Sequence, residues 1–281
     1  MKDYLELTKP SVTWLILMST AVGFYVGAAH PLALASLALL LNALIGTALV
    51  ASGTAALNQW MERDVDAKMR RTQHRPLPAG RLDARRAFWF GMVLSVAGVA
   101  YLAATVNSLT GFLGAFTCST YLLCYTPLKK RTPLSTLVGA FPGAMPILMG
   151  FAAATGRLTL AGWVLYGILF LWQFPHFLSI ATLYREDYER GGIRMLPVVE
   201  PEGSSTRRQI VGYTIALLAV SMAPTLLGLS GSIYFCGTVA LGLAFLYFGV
   251  GVKTKLQARR LLQASVFYLP LVYSLMVLDK Q

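Results

Sequence analysis

The sequence has few charged residues, and those it has are confined to short segments. Asp, Glu, Lys and Arg together make up 13% of the 281 residues, whereas roughly a quarter is usual for soluble globular domains. Six stretches contain none of the four, namely residues 10–61, 87–128, 132–156, 158–184, 209–252 and 261–278. No long polar stretch separates them, so we expect one membrane-embedded domain spanning 1–281 and no attached soluble module.

Cysteine is also scarce. The chain has three cysteines, Cys118, Cys124 and Cys236, and none of them forms a CxxC pair. Because all three lie in or at the ends of apolar stretches, we interpret them as small packing residues rather than metal ligands or disulfide partners.

The long uncharged stretches predict transmembrane helices. A helix needs roughly 20 apolar residues to cross a bilayer, so the six stretches correspond to two, two, one, one, two and one spans. Turn-forming residues near Gly27–Pro31, Asn107–Gly111 and Gly228–Gly231 divide the longer stretches. Transmembrane strands would need alternating segments of about 10 residues, which the sequence does not show, so helices are favoured. The sequence therefore predicts an all-α integral membrane protein, a single bundle of about nine helices around a cavity.

The basic residues predict the orientation of this bundle. Of the 24 Lys and Arg residues, 22 fall in segments 1–9, 58–86, 129–131, 185–208 and 253–260, and only Arg157 and Lys280 fall on the other side. Basic residues mark the cytoplasmic side, so we expect a cytoplasmic N-terminus and an inner-membrane location. The net charge of +12 is explained by topology and anionic lipid headgroups, and no nucleic-acid partner is expected.

The first motif lies in the cytoplasmic loop 58–86. Asn58, Glu62 and Asp66 are spaced at i, i+4 and i+8, so they fall along one side of a helix. Converging carboxylate and amide oxygens suit Mg²⁺, which commonly shares its coordination between carboxylates, waters and a substrate phosphate. Asp64 is a further metal candidate from the same acidic run, although on an unbroken helix it faces away.

Basic residues follow this acidic row at once: Lys68, Arg70, Arg71 and Arg75. They are candidates to hold phosphate oxygens that the metal does not take. Mixed acidic and basic residues in one loop are typical of metal-bridged diphosphate binding. The alternative is an ordinary solvated loop at a positive-inside boundary.

A second acidic loop, 184–208, follows the predicted sixth span. Tyr184, Asp187 and Tyr188 share one helix face, and Arg185 lies among them. These residues are candidates for a second half of the diphosphate site, and a plain charged helix end is the alternative. Between the two loops, the basic turn containing Lys129 either contacts diphosphate or anchors the topology.

One histidine lies inside an apolar span. His176 follows Trp172 within the predicted sixth helix, where an ionisable side chain is expensive and needs a partner or a function. It is a hydrogen-bonded packing residue, a proton carrier or an axial ligand to haem iron.

Together these motifs resemble the UbiA superfamily of intramembrane prenyltransferases. The resemblance lies in Asn58 with carboxylates at +4 and +8, then Arg71-Thr72 and Arg75-Pro76. Within that superfamily, the runs KMRRTQHRPL, YTPLKKRTP and WQFPHFLSIATLYREDYERGGIRMLPVV are most similar to the protohaem IX farnesyltransferase branch. Two positions depart from the pattern: Glu62 stands where Asp is usual, and Gly191 stands four residues after Asp187, where a second Asp is frequent.

The resemblance implies an enzyme that transfers the farnesyl group of farnesyl diphosphate to a vinyl group of haem b, with addition of water, giving haem O and diphosphate. It implies Mg²⁺ as cofactor and a downstream haem-modifying or oxidase-assembly membrane protein as partner. The catalytic residues would be Asn58, Glu62, Asp66, Asp187 and Tyr184, and the metal ligands Asn58, Glu62, Asp64, Asp66 and Asp187. The substrate-binding residues would be Lys68, Arg70, Arg71, Arg75, Lys129, Arg185, His176, Trp172 and Tyr188.

Other functions are compatible with parts of the pattern. The same diphosphate machinery would serve a prenyltransferase acting on an aromatic quinone precursor. A secondary transporter would also have many spans, but it predicts charged residues near mid-span, and this chain has none there. A structural assembly factor would not need spaced carboxylates.

Overall fold

The computed structural model describes all 281 residues and is helical throughout, with one isolated bridge between Ser230 and Lys280. This confirms the predicted all-α class. The helices are α1 (Lys2–Leu7), α2 (Pro10–Gly27), α3 (Leu34–Asp66), α4 (Ala84–Thr105), α5 (Ser108–Ser119), a π-helix (Thr120–Tyr125), α6 (Thr126–Leu128), α7 (Ser135–Thr155), α8 (Leu160–Leu183), α9 (Arg185–Arg190), α10 (Leu196–Val199), α11 (Ser204–Leu226), α12 (Ser232–Val250) and α13 (Lys255–Leu278).

Eight of these helices are individually long and apolar enough to cross a membrane: α2, α3, α4, α7, α8, α11, α12 and α13. The remaining predicted span is a composite, because α5, the π-helix and α6 follow one another without a break over 108–128. The connections at 28–33, 106–107 and 227–231 coincide with the predicted turns.

The spans pack in chain order as a closed bundle, and α13 returns to α2. Helices α7 and α8 are the most buried, while the others expose large apolar side chains. Close packing of α2 on α7 depends on glycine, because a Cβ on Gly150 would collide with the carbonyl oxygen of Thr20. Such small-residue contacts are how helices approach each other in lipid.

The two acidic loops lie at the same end of the bundle and share a small apolar cluster. Its buried members come from the end of α3, the segment after it, α8 and the α9–α10 connection: Val65, Met69, Ala181, Ile193 and Met195. Burial of these side chains holds the loops against each other, so polar residues that are distant in sequence converge there.

The opposite end is tied together by Asp279 and Lys280. Lys280 Nζ donates to the carbonyl oxygens of Tyr25 (2.7 Å) and Ala28 (2.6 Å) at the end of α2. Asp279 accepts a 2.7 Å hydrogen bond from the backbone N–H of Tyr234 in the first turn of α12. We call this set of contacts the α13 clasp.

Candidate active site

Asn58, Glu62 and Asp66 lie along one buried face of α3, as their spacing predicted. The amide of Asn58 donates to Glu62 Oε2 at 3.0 Å and to Thr126 Oγ1 at 3.2 Å. The acidic row therefore contacts the short helix α6 at the end of the bundle.

Asp64 does not join this row. Its side chain is 81% exposed and lies 3.8 Å from Arg63 Nε, whereas the Asp66 side chain is 2% exposed. Two residues of helix rotate the side chain by about 200°, which explains the difference. The structure therefore gives no support to the metal-binding role predicted for Asp64.

Each buried carboxylate of the row has its own cation. Lys129 Nζ lies 2.9 and 3.1 Å from the two oxygens of Glu62. Arg75 Nη1 lies 2.7 Å from Asp66 Oδ2. Since a buried charge without a partner is costly, each cation compensates the carboxylate that it contacts.

Asp187 connects the two acidic loops. Its carboxylate accepts from the backbone N–H groups of Arg70 (3.2 Å) and Arg71 (3.3 Å), and Arg190 Nη2 lies 2.9 Å away. The guanidinium of Arg71 lies over the ring of Tyr184 at 5.4 Å. Asp187 thus fixes the backbone of the basic segment that follows the acidic row.

Three other predicted residues lie at the margin of this arrangement. Lys68 is exposed to solvent, and Arg185 Nη1 lies 3.5 Å from the carbonyl of Pro201. Tyr188 packs against the apolar cluster beneath the loops. The structure does not bring these three into contact with the buried carboxylates.

Lys9 is a site residue that sequence reasoning missed. It has a left-handed backbone (φ 47°), uncommon for a residue other than glycine, and its Nζ donates to Asn58 Oδ1 at 3.2 Å. Burial and the nearby cations of Arg75 and Lys129 lower the pKa of Lys9 to about 7. The available signal was its position as the last charge before the first apolar stretch, directly before Pro10.

Two tyrosines of the π-helix lie near the acidic row. The ring centroids of Tyr121 and Tyr125 lie 5.0 Å apart, and Lys129 Nζ lies 4.5 Å from the Tyr125 centroid. Thr126 Oγ1 donates to the Tyr121 carbonyl five residues earlier at 2.9 Å. Single π-turns are frequent at functional sites, and this one brings aromatic rings and Thr126 to the acidic row.

His176 and Trp172 form a separate group between α8 and α13. The two rings stack with centroids 4.5 Å apart and an interplanar angle of 21°. His176 Nδ1 lies 2.8 Å from Ser265 Oγ, and the Trp172 indole donates to the Ser265 carbonyl at 2.9 Å. Both side chains therefore depend on one serine of α13.

Comparison with known proteins decides the family. The UbiA prenyltransferase family matches residues 16–271, nearly the whole chain. The chain belongs to the UbiA prenyltransferase family. The match confirms the resemblance that the acidic row and the basic loop indicated. It also confirms the predicted enzyme class, a prenyltransferase.

Two curated relatives of this UbiA chain share one name. A protoheme IX farnesyltransferase of Solibacter usitatus is 57% identical, covering 100% of this chain and 99% of the relative. A second, from Salinibacter ruber, is 46% identical and covers 99% and 98%. The chain matches both over their full length.

Solved structures show the same fold. A digeranylgeranylglyceryl phosphate synthase superimposes with a TM-score of 0.82 at 16% identity, over 99% of this chain and 97% of the other. A UbiA homologue from Archaeoglobus fulgidus, bound to GPP and Mg²⁺, gives a TM-score of 0.69 at 18% identity over 98% and 99%.

The donor set of this UbiA site suits a hard cation. No three His, Cys, Asp or Glu residues stand close enough to hold a metal ion by themselves, so an all-protein cage is absent. Asn58, Glu62, Asp66 and Asp187 supply oxygen donors, which Mg²⁺ accepts together with waters and substrate phosphates. The residues present therefore fit a cation that is shared with a diphosphate.

Proposed function

We propose that this enzyme transfers the farnesyl group of farnesyl diphosphate to a vinyl group of haem b, with water supplying a hydroxyl group, and releases haem O and diphosphate. The proposal is supported by the name shared by full-length relatives up to 57% identical. The single structural observation that carries it is the buried row of Asn58, Glu62 and Asp66 surrounded by basic side chains.

The ionic cluster supplies the diphosphate end of the reaction. Asn58, Glu62, Asp66 and Asp187 would share the binding of Mg²⁺ with the diphosphate and with waters, and the metal would neutralise charge on the departing diphosphate. Lys129 and Arg75 are paired with carboxylates in this structure. With a metal ion bound at those carboxylates, Lys129 and Arg75 would be free to donate to phosphate oxygens.

The surroundings of the cluster suit an allylic cation. The carbon–oxygen bond of the donor breaks with both electrons leaving on diphosphate, and C1 of the farnesyl group becomes electron-poor. The ring of Tyr125 lies 4.5 Å from Lys129 Nζ and contacts the ring of Tyr121, and aromatic faces attract such charge. The enclosing helices exclude bulk water, which would otherwise capture the cation before the vinyl group attacks it.

The polar end of the bundle is the cytoplasmic side in this proposal. It carries 22 of the 24 basic residues, as positive-inside topology requires. Both acidic loops and the N-terminus then face the cytoplasm, where soluble farnesyl diphosphate is available. Residues 1–281 act as one membrane-embedded domain.

A mass spectrum of porphyrins tests the function. Purified protein is incubated with haem b, farnesyl diphosphate and Mg²⁺. We expect a porphyrin heavier by one farnesyl group and one hydroxyl group, and no such product when Mg²⁺ is chelated. Unchanged haem together with farnesylation of 4-hydroxybenzoate would refute the acceptor and support quinone-precursor prenylation instead.

A further inference from the structure

Ser265, the serine beside His176, can donate only one hydrogen bond through its hydroxyl group. Ser265 Oγ lies 2.6 Å from the carbonyl oxygen of Leu262 and 2.8 Å from His176 Nδ1. A carbonyl oxygen has no proton, so the short contact to Leu262 requires the serine hydroxyl to donate. His176 Nδ1 must then carry its own hydrogen and donate it to Ser265 Oγ.

This assignment leaves the other ring nitrogen free. A neutral imidazole has one N–H and one lone pair, so Nε2 of His176 is unprotonated. The plane of the ring is set by stacking on Trp172, whose indole donates to the backbone carbonyl of Ser265. Ser265 therefore determines both the tautomer of His176 and, through Trp172, the orientation of its ring.

We propose that Ser265 is a positioning residue that holds His176 in the Nδ1–H tautomer, with the Nε2 lone pair directed to the iron of the haem acceptor. The inference rests on the proposed function. Histidines that bind metals typically donate their second N–H to a fixed partner, which sets the tautomer and raises ligand basicity. Ser265 supplies this partner from α13.

The depth of His176 favours a ligand over a catalytic base. Seven residues separate it from the end of α8 at Leu183, which places it about 10 Å deeper along the helix axis. A base must be within hydrogen-bond reach of the reacting atoms. A ligand at the centre of a wide, flat acceptor can lie farther away, because the reacting vinyl group is at the edge of the macrocycle.

The first test needs no haem. The chain has three histidines, so histidine-selective ¹⁵N labelling gives a simple NMR spectrum, in which the His176 signals are identified by their loss in His176→Ala. We expect a protonated Nδ1 and an unprotonated Nε2 in the wild type, and mixed tautomers in Ser265→Ala. A protonated Nε2 in the wild type would overturn the inference.

The second test measures binding of ferric haem by its Soret band. Ser265→Ala should bind haem about tenfold more weakly and with a changed spectrum, whereas Ser265→Thr, which keeps the hydroxyl, should remain close to wild type. Ser221→Ala is the matched control, because Ser221 is equally buried and contacts Tyr268 instead. Binding of farnesyl diphosphate should be unchanged in all four proteins.

The outcomes separate the two proposals. Unaltered haem affinity and spectrum in Ser265→Ala, or an equal loss of farnesyl diphosphate binding, would show that Ser265 only packs α8 against α13. A wild-type protein that shows the expected tautomer but leaves the haem spectrum unchanged would refute ligation of haem iron by His176, and the porphyrin mass spectrum would then decide separately whether haem is the acceptor.

Discussion

Glu62 and Asp66 are buried carboxylates that pair with cations from different segments of the chain. This difference bears on how a metal ion would bind. The partner of Glu62 comes from the α6–α7 turn, as Lys129, and the partner of Asp66 comes from the loop after α3, as Arg75. Removing one member of either pair would leave the other as a buried charge without a partner, which is costly. In the proposed reaction, a dication and a diphosphate would replace both pairs at once, so substrate and metal are expected to bind cooperatively.

Asp66→Ala is expected to reduce prenyl transfer by at least about 100-fold, a loss typical of removing charge stabilisation at a leaving group, because the proposed Mg²⁺ site loses one of its carboxylate ligands. Folding should persist, because Arg75 retains some access to water. Asp64→Ala is the matched control and should behave like the wild type, since its side chain points away from the site. Turnover by both variants, with fluorescence-monitored melting, makes the comparison; full activity in Asp66→Ala would contradict the site.

At the residue scale, helical spacing predicted which acidic side chains of α3 share a face and which one does not. It could not predict the partners that tertiary structure brings in. Lys9 is 49 positions from Asn58, and Asp187 accepts hydrogen bonds from backbone groups 116 and 117 positions away. A pattern of side chains cannot indicate which backbone N–H groups will donate hydrogen bonds. The serine that contacts His176 lies 89 positions away in the sequence.

At the scale of elements, the contact between α2 and α7 has almost no free space. Gly150→Ala is expected to lower stability by about 1–3 kcal/mol, because the added methyl group collides with the Thr20 carbonyl and forces the helices apart. Gly212→Ala on α11 has nothing within 4 Å, so it should be neutral or slightly stabilising. Thermal unfolding in detergent compares them, and equal melting temperatures would contradict the packing.

The start of α11 should respond to acid. Hydrogen bonds from the Ser204 hydroxyl and the backbone N–H groups of Ser205 and Thr206 lower the pKa of Glu200 to about 2 from 4.5. Because the folded-state pKa is lowered, this stabilisation is complete above about pH 4.5 and is lost as the pH falls towards 2. Glu200→Gln should therefore melt below the wild type at pH 6, and the difference should shrink in acid; a pH-independent difference would exclude the carboxylate.

The elements themselves could mostly be predicted from the sequence. The length of a lipid-facing helix can be estimated from the length of an uncharged stretch, and eight spans follow that rule directly. The composite span at 108–128 was predicted as an ordinary helix, and its π-helix was not predicted. A π-turn contains one residue more than an α-helical turn, which changes the side chains that face inward but not the hydrophobicity of the segment. The composition therefore does not indicate it.

At the scale of the whole molecule, charge is separated between the two ends of the bundle. In a background lacking the three cysteines, Ala79→Cys at the polar end should be labelled by an impermeant maleimide only when the cytoplasmic face is accessible. His30→Cys, exposed at the other end, should be labelled from outside in intact cells. The reverse pattern would invert the proposed orientation.

The α13 clasp has a consequence for biogenesis. Helix α2 enters the membrane early, but its last carbonyl groups are bound by Lys280, at the far end of the chain. Until that residue has left the ribosome, the seam between the first and final spans stays open to lipid. A nascent chain arrested shortly before Asp279 would expose this seam, so quality-control proteases that survey the membrane should degrade such products faster than chains that include Asp279 and Lys280.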